Sequence, residues 1–142
     1  MENETKVVKR DGSVEPIDLD KVHRMVEAAC KDVAGVSESS VEMNSGLQFY
    51  DGIETKEIQS ILVKSAADLI SLESPNYQYV AARLLLYSLR KSLYGRLWEV
   101  PHLMDHIQEC IKKDVYDADI LVKYCEEEID ILNGIIDHGR DF

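Results

Sequence analysis

The chain has 142 residues, 45% hydrophobic and 30% charged, with a formal net charge of −11, which is enough for one globular core and argues against disorder. The acidity argues against a nucleic-acid partner, which needs a basic face, and no apolar run of ~18 residues or basic, apolar leader at residues 1–4 points to a membrane. Three cysteines, Cys30, Cys110 and Cys125, leave one unpaired in any disulfide scheme, which fits a reducing compartment and predicts a cytoplasmic protein.

Residues 9–21 organise the rest. Asp11-Gly12 between short apolar runs, with Val7-Val8 before and Val14 and Ile17 after, predicts a hairpin over 5–10 and 14–17. A two-residue primed turn with positive φ would close it. Asp18 stands where an N-cap belongs. From Leu19 the apolar residues recur at 19, 22, 26, 29 and 33, one helical face, and Gly35 is placed to end that helix in the left-handed conformation. A hairpin thus feeds a helix N-terminus with Lys9, Arg10 and Lys21 close by. Free N–H groups, a partial positive dipole and several cations suit a polyanion such as a nucleotide's phosphate chain. The plainer reading of each residue stays open: Lys9-Arg10 as a solvated hairpin end, Lys21 as an exposed helix residue, Glu15 as a cross-strand partner for a lysine.

Ser37 predicts a cap and a short helix to about Ser45, Leu47-Gln48-Phe49-Tyr50 a short strand, and Asp51-Gly52 a second turn. Thr55 reads as the N-cap of a helix with apolar positions 58, 61, 62, 66, 69 and 70. Ser74-Pro75 pairs a cap with a proline at the first helical position and opens a helix running to Tyr94, with Gly95 as its stop. Tyr87 and Lys91, four apart, lie on one face of it, although Tyr87 also reads as a core aromatic. After Gly95 come a connector over 96–100, a helix opened by Pro101, a break at 114–117, and an acidic helix over 125–137 striped by Ile129, Leu132, Ile135 and Ile136. The last residues, 137–142, read as a cut rather than a natural stop.

Several chemistries lack their motifs. There is no G-x-x-x-x-G-K-[ST] loop, no G-x-G-x-x-G after a strand, no G-x-S-x-G elbow and no H-E-x-x-H. His102, His106 and Cys110 stand four apart on one predicted helix, a spacing that admits zinc, but an ordinary amphipathic helix with Ile107 and Cys110 inward accounts for it as well. Cys30 and Cys125 have no His or basic partner in sequence and read as packing residues.

The pattern V-x-K-R-D-G-x-x-E-x-x-x-x-x-K over residues 7–21 resembles the signature of the ATP-cone, the regulatory nucleotide domain of ribonucleotide reductases. Asp51-Gly52-Ile53 ahead of Thr55, the run Pro75-Asn76-Tyr77-Gln78-Tyr79-Val80-Ala81-Ala82-Arg83-Leu84, and Lys91 with Tyr94-Gly95 agree in order and spacing. Residues after Gly95 resemble the helical segment that follows the cone in large subunits of aerobic class I enzymes. The likeness covers essentially the whole chain.

The resemblance implies an α+β, mostly helical fold, a four-helix bundle capped by a small three-stranded sheet and followed by additional helices. It implies a nucleotide domain over 1–95 and a helical segment over 96–142 leading to a catalytic barrel. By position, Lys9, Arg10, Lys21 and Lys91 would hold the triphosphate of ATP or dATP, with Mg²⁺ bound through the phosphates. Glu15, Ile17 and Asp18 would meet the adenine, and Pro16, Leu19, Asp20 and Gln59 would belong to the same nucleotide-binding set. Val7, Val22, Ile58, Leu62 and Tyr87 would form apolar walls, and Thr55 would lie near the sugar and phosphates. Two positions depart from the family's habit: Asp18, often an amide, and Gln59, often a His. The first alters adenine hydrogen bonding, because an ionised carboxylate only accepts; the second alters a subunit contact or a local bond.

The implied function is allosteric: ATP favours the active reductase and dATP an inhibited assembly, with the small (beta) subunit and other large subunits as partners and no catalytic residue in this segment. Three alternatives stand beside it. A nucleotide-sensing repressor would carry a zinc ribbon and a DNA-compatible charge, and an anaerobic reductase would lack this tail. A degenerate cone would serve only as a structural or subunit-interaction module.

Overall fold

The computed structural model describes residues 5–142, so the start read at residues 1–4 lies outside it. The described chain is mostly helical, with seven α-helices and one small sheet, and divides into two compact units, one reaching Leu89 and one spanning Arg90–Phe142.

In the first unit, β1 (Lys6–Val8) is the central strand of a mixed sheet, antiparallel to β2 (Val14–Pro16) and parallel to β3 (Ile53–Glu54). Val7 stands opposite Glu15 on one side and Ile53 on the other, and Val7 and Ile53 are both buried. The hairpin forms as predicted, but its turn differs. The Lys9 N–H donates to the Ser13 carbonyl at 2.8 Å and the Gly12 N–H to the Lys9 carbonyl at 2.9 Å, so the loop has three residues and only Gly12, at φ 83°, is left-handed. Asp11 explains the choice: its Oδ1 accepts from the Ser13 N–H at 2.9 Å and the Ser13 hydroxyl at 2.6 Å, a side-chain turn that keeps Asp11 out of the positive-φ region.

Helix α1 (Leu19–Cys30) starts on Asp18, whose Oδ1 accepts from the Lys21 N–H at 3.0 Å. Its buried residues are Met25, Val26, Ala29 and Cys30, whereas Leu19 is exposed. The helix ends at Cys30 and not near Gly35. Asp32 already has φ 59°, and the Arg83 guanidinium takes the Ala29 and Lys31 carbonyls at 3.1 and 2.6 Å, satisfying the helix end early. Helix α2 (Glu38–Gly46) starts on Ser37, whose hydroxyl accepts from the Ser40 N–H, and packs against α1. His23 of α1 meets Glu42 of α2 at 2.6 Å, a hydrogen bond that raises the imidazole above its ordinary pKa of 6.5.

The strand expected over 47–50 is absent. Residues 47–50 turn off the end of α2, the Gln48 and Phe49 N–H groups returning to the Ser45 and Gly46 carbonyls, and Leu47 is 88% exposed. The third strand forms after the Asp51-Gly52 turn because Ile53, fully buried, is the residue that can join Val7 under the sheet. Thr55 is the first residue of α3 (Thr55–Asp68) and not its cap; Glu54 holds the cap position without a side-chain bond. That helix stops before Leu69 and Ile70, and Ile70 is exposed. Helix α4 (Tyr77–Tyr94) begins two residues later than Pro75, its first turn being tightened by bonds from the Gln78 and Tyr79 N–H groups to the Pro75 and Asn76 carbonyls. It ends as predicted at Gly95, φ 70°.

In the second unit, α5 (Leu103–Lys112) packs on α7 (Glu126–Ile135), burying Ile107 and Ile129. The Leu103 N–H donates to the Asn133 amide oxygen at 2.9 Å. The predicted last helix is shorter at both ends, and of its stripe only Ile129 is buried; Leu132, Ile135 and Ile136 are exposed. The short α6 (Ile120–Lys123) and a 3₁₀ turn, His138–Asp141, carry no periodicity that sequence could show. No helix among the described residues is long and apolar enough to cross a membrane.

The burial pattern sets two expectations for urea denaturation. Leu84→Ala, at a site 1% exposed, loses about 2–5 kcal/mol. Leu47→Ala, at the rejected strand, stays within about 0.5 kcal/mol of the parent; a large loss there would restore the strand.

Candidate functional site

The hairpin loop, the start of α1 and the first turns of α3 supply the candidate residues. Glu15, directly across from Val7, reaches diagonally over the hairpin so that Lys9 Nζ lies 2.7 Å from Glu15 Oε2. This hydrogen bond raises the Lys9 ammonium above its ordinary pKa of 10.5. Arg10 Nη2 donates to Gln59 Oε1 at 3.4 Å, joining the hairpin loop to α3 through a buried amide. Lys21 Nζ lies 3.5 Å from Asp18 Oδ2 while its own N–H donates to Asp18 Oδ1. That backbone bond, more than the ammonium, holds the Asp18 carboxyl below its ordinary 3.8. Pro16 ends β2 opposite Lys6, and the Ile17 N–H donates to the Thr5 carbonyl at 2.8 Å, which fixes the step from strand to helix. Leu19 and Asp20 are exposed in the first turn and Val22 is half-buried.

Of the apolar candidates, Val7, Ile58, Leu62 and Tyr87 are all buried, Leu62 completely. Thr55 is half-buried at the start of α3. Lys91 belongs to the part of α4 in the second unit, where its Nζ donates to the Gly95 carbonyl at 2.8 Å. The chemistry of the junction is that of exchangeable cations. Lys9 and Lys21 keep 40% and 64% of their side-chain surface, and Glu15 and Asp18 keep 37% and 41%. A phosphate chain can therefore replace either carboxylate as acceptor without stranding it from water.

Residues 5–92 match the family model described as ATP cone domain. The chain belongs to the ATP-cone family. The chain is also 46% identical over 141 residues to the ribonucleoside-diphosphate reductase subunit alpha of Haemophilus influenzae, a match that covers 99% of this chain and 18% of the relative. It is 48% identical over 135 residues to ribonucleoside-diphosphate reductase 1 subunit alpha of Escherichia coli, covering 95% and 18%. The corresponding subunit of Helicobacter pylori is 37% identical over 137 residues, covering 96% and 17%. The chain thus spans less than a fifth of the length of these curated relatives.

Other polar groups of the chain resolve into structural roles. His102 caps α5, its Nδ1 accepting from the Met104 N–H at 3.3 Å and its Nε2 lying 3.5 Å from Asp130 Oδ1. His106 Nε2 lies 3.6 Å from Cys110 Sγ, and no group of three ligands is assembled among the described residues. The spacing that admitted zinc is thus divided between a cap and a side-chain pair. Sequence analysis places Asp51 in a turn and Arg83 in the 75–84 run but misses their partners: Asp51 Oδ1 accepts from the Lys6 N–H at 2.8 Å and anchors the sheet, and Arg83 closes the end of α1. Nothing local marks either, because both partners are distant in sequence. At the Gln59 departure the side chain accepts from Arg10, forty-nine residues away, a partner that could be found only by folding.

Two measurements check this electrostatic picture. Carbon-detected NMR is expected to show Asp18 titrating below its ordinary 3.8. Its cap is present above the unfolded carboxyl pKa and is lost as pH falls through the lowered folded value, so the first amides of α1 lose exchange protection with the same midpoint; a midpoint at or above 3.8 contradicts the cap. Burial pushes the Cys30 thiol from 9.0 up to about 11, whereas Cys125 is exposed. Iodoacetamide at neutral pH therefore labels Cys125 well before Cys30.

Proposed function

We propose that this cone is an allosteric adenine-nucleotide sensor controlling the overall activity of a cytoplasmic ribonucleoside-diphosphate reductase, the enzyme that makes deoxyribonucleotides for DNA synthesis. Family membership over residues 5–92 carries the reading, and the paired, partly exposed cations at the hairpin–helix junction support it. In this reading residues 1–95 form the sensing domain, with α1–α4 as a bundle capped by the sheet, and 96–142 leads to a catalytic domain. Partners are the small (beta) subunit and other large subunits; nucleic acid and membrane are not among them.

Binding is an exchange of acceptors. Lys9 leaves Glu15 and Lys21 leaves Asp18 for phosphate oxygens, Arg10 and Lys91 complete the cationic set, and Mg²⁺ rides on the phosphates. Glu15 and Asp18, once released, accept from the adenine's exocyclic amine, while Val7, Val22, Ile58, Leu62 and Tyr87 flank the base. ATP and dATP differ by one hydroxyl. They shift the reductase between states only by their difference in affinity for each, and the 2′-position acts through the seating of the triphosphate among Lys21, Thr55 and Lys91. ATP favours the active state, and dATP inhibits by changing subunit assembly.

Calorimetric titration in Mg²⁺ tests the reading. ATP and dATP bind saturably and CTP does not, and Lys9→Ala and Lys91→Ala each weaken binding roughly tenfold, the loss of one charge-assisted hydrogen bond. Folded protein that gives no heat with either nucleotide would reduce the cone to a structural module.

A further inference from the structure

Among the described residues, Arg90 is the only buried charged side chain. Its Nη2 donates to Asp141 Oδ2 at 2.7 Å and to the His138 carbonyl at 3.5 Å, and its guanidinium carbon sits 4.7 Å from the centre of the Phe142 ring. All three partners fall within residues 138–142, the 3₁₀ turn and the residue after it. The side chains of Arg90 and Asp141 are 7% and 41% exposed. Removing a guanidinium from water carries a desolvation cost that one half-exposed carboxylate only partly offsets. Such a pair is a weak source of stability, and its best-attested use is to hold one arrangement over others.

The arrangement held here is the end of α4. Arg90 follows Tyr87 by three residues and directly precedes Lys91, so all three ride on the last two turns of one helix. Lys91 closes that end from within: its Nζ donates to the Gly95 carbonyl, and its own carbonyl accepts from the Gly95 N–H at 3.1 Å. A phosphate that recruits the Lys91 ammonium competes with the Gly95 carbonyl for it. The contact of Arg90 with 138–142 uses neither the Lys91 ammonium nor the Gly95 carbonyl.

We propose that Arg90 is a positioning residue: its latch on residues 138–142 sets the last turns of α4, and through them Lys91, so that nucleotide occupancy and the order of 138–142 are coupled. The proposal rests on the nucleotide reading of Lys91 given above. Coupling of this kind is reciprocal. A nucleotide that holds Lys91 in one placement tightens the latch, and a broken latch lowers affinity for the nucleotide.

Hydrogen exchange of the chain with and without Mg²⁺–ATP, followed by mass spectrometry, tests it. ATP slows exchange in the 5–17 hairpin and also in 138–142, the latter by about fivefold or more, the lower end of ordinary coupling. In Asp141→Ala the hairpin is still protected by saturating ATP, protection of 138–142 is lost, and ATP affinity falls; Asp141→Glu, which keeps a carboxylate, restores both. ATP protection confined to the hairpin in the parent chain, or ATP protection of 138–142 that survives Asp141→Ala, overturns the latch. Exchange unchanged by ATP everywhere overturns the nucleotide reading itself and the coupling with it.

Discussion

The central position of β1 is the constraint on which the first unit depends. Val7 is paired on both sides, with Glu15 in the hairpin and Ile53 ahead of α3, and both Val7 and Ile53 are buried. A parallel neighbour requires a long crossover, and α1 and α2 lie in the chain between the two strands. One three-residue strand thereby brings the Lys9-Arg10 loop to α3, where Gln59 receives the arginine. Asp51 bonds the Lys6 N–H from the other side of the turn and holds the same register.

The charges follow a second economy. A chain with net charge −11 presents its cations at the junction already partnered: Lys9 with Glu15, Lys21 with Asp18, Arg10 with Gln59. Exposed pairs of this type contribute little to stability, and in the proposed nucleotide site that weakness would let their acceptors exchange with phosphate oxygens. Arg90 is built on the opposite terms. Its guanidinium is buried and its contacts with His138, Asp141 and Phe142 all fall in one chain segment.

Much of the fold was legible because it is written locally. The Asp18 and Ser37 caps, the Gly95 stop and the existence of the hairpin each depend on side chains or turn residues within a few residues of the backbone they shape, and of the predicted helix faces Val26 and Ala29 of α1 and Ile58, Leu62 and Ala66 of α3 are buried. The candidate site was legible through its motif, which keeps Lys9, Arg10, Glu15, Asp18 and Lys21 within thirteen residues of chain. Its illegible part is Gln59, because the bond to Arg10 closes over forty-nine residues. The misplacements have the same origin. Leu47 to Tyr50 has strand composition, but Ile53 is the residue that meets Val7. The apolar stripe of the last helix has the helical period, yet only Ile129 finds a partner.

The sequence by itself determined that the hairpin exists, that Asp18 and Ser37 cap α1 and α2, that α4 stops at Gly95, which residues carry charge, and that residues 7–95 have the pattern of a nucleotide cone. Those properties are set by propensity, capping and spacing, all short-range. Only the tertiary structure decided which strand completes the sheet, where α1 stops, which acceptor holds Arg10, and that Arg90 is buried against 138–142. Each of these depends on a partner many residues away, and burial and pairing at that range are fixed by how the elements pack and not by the local chain.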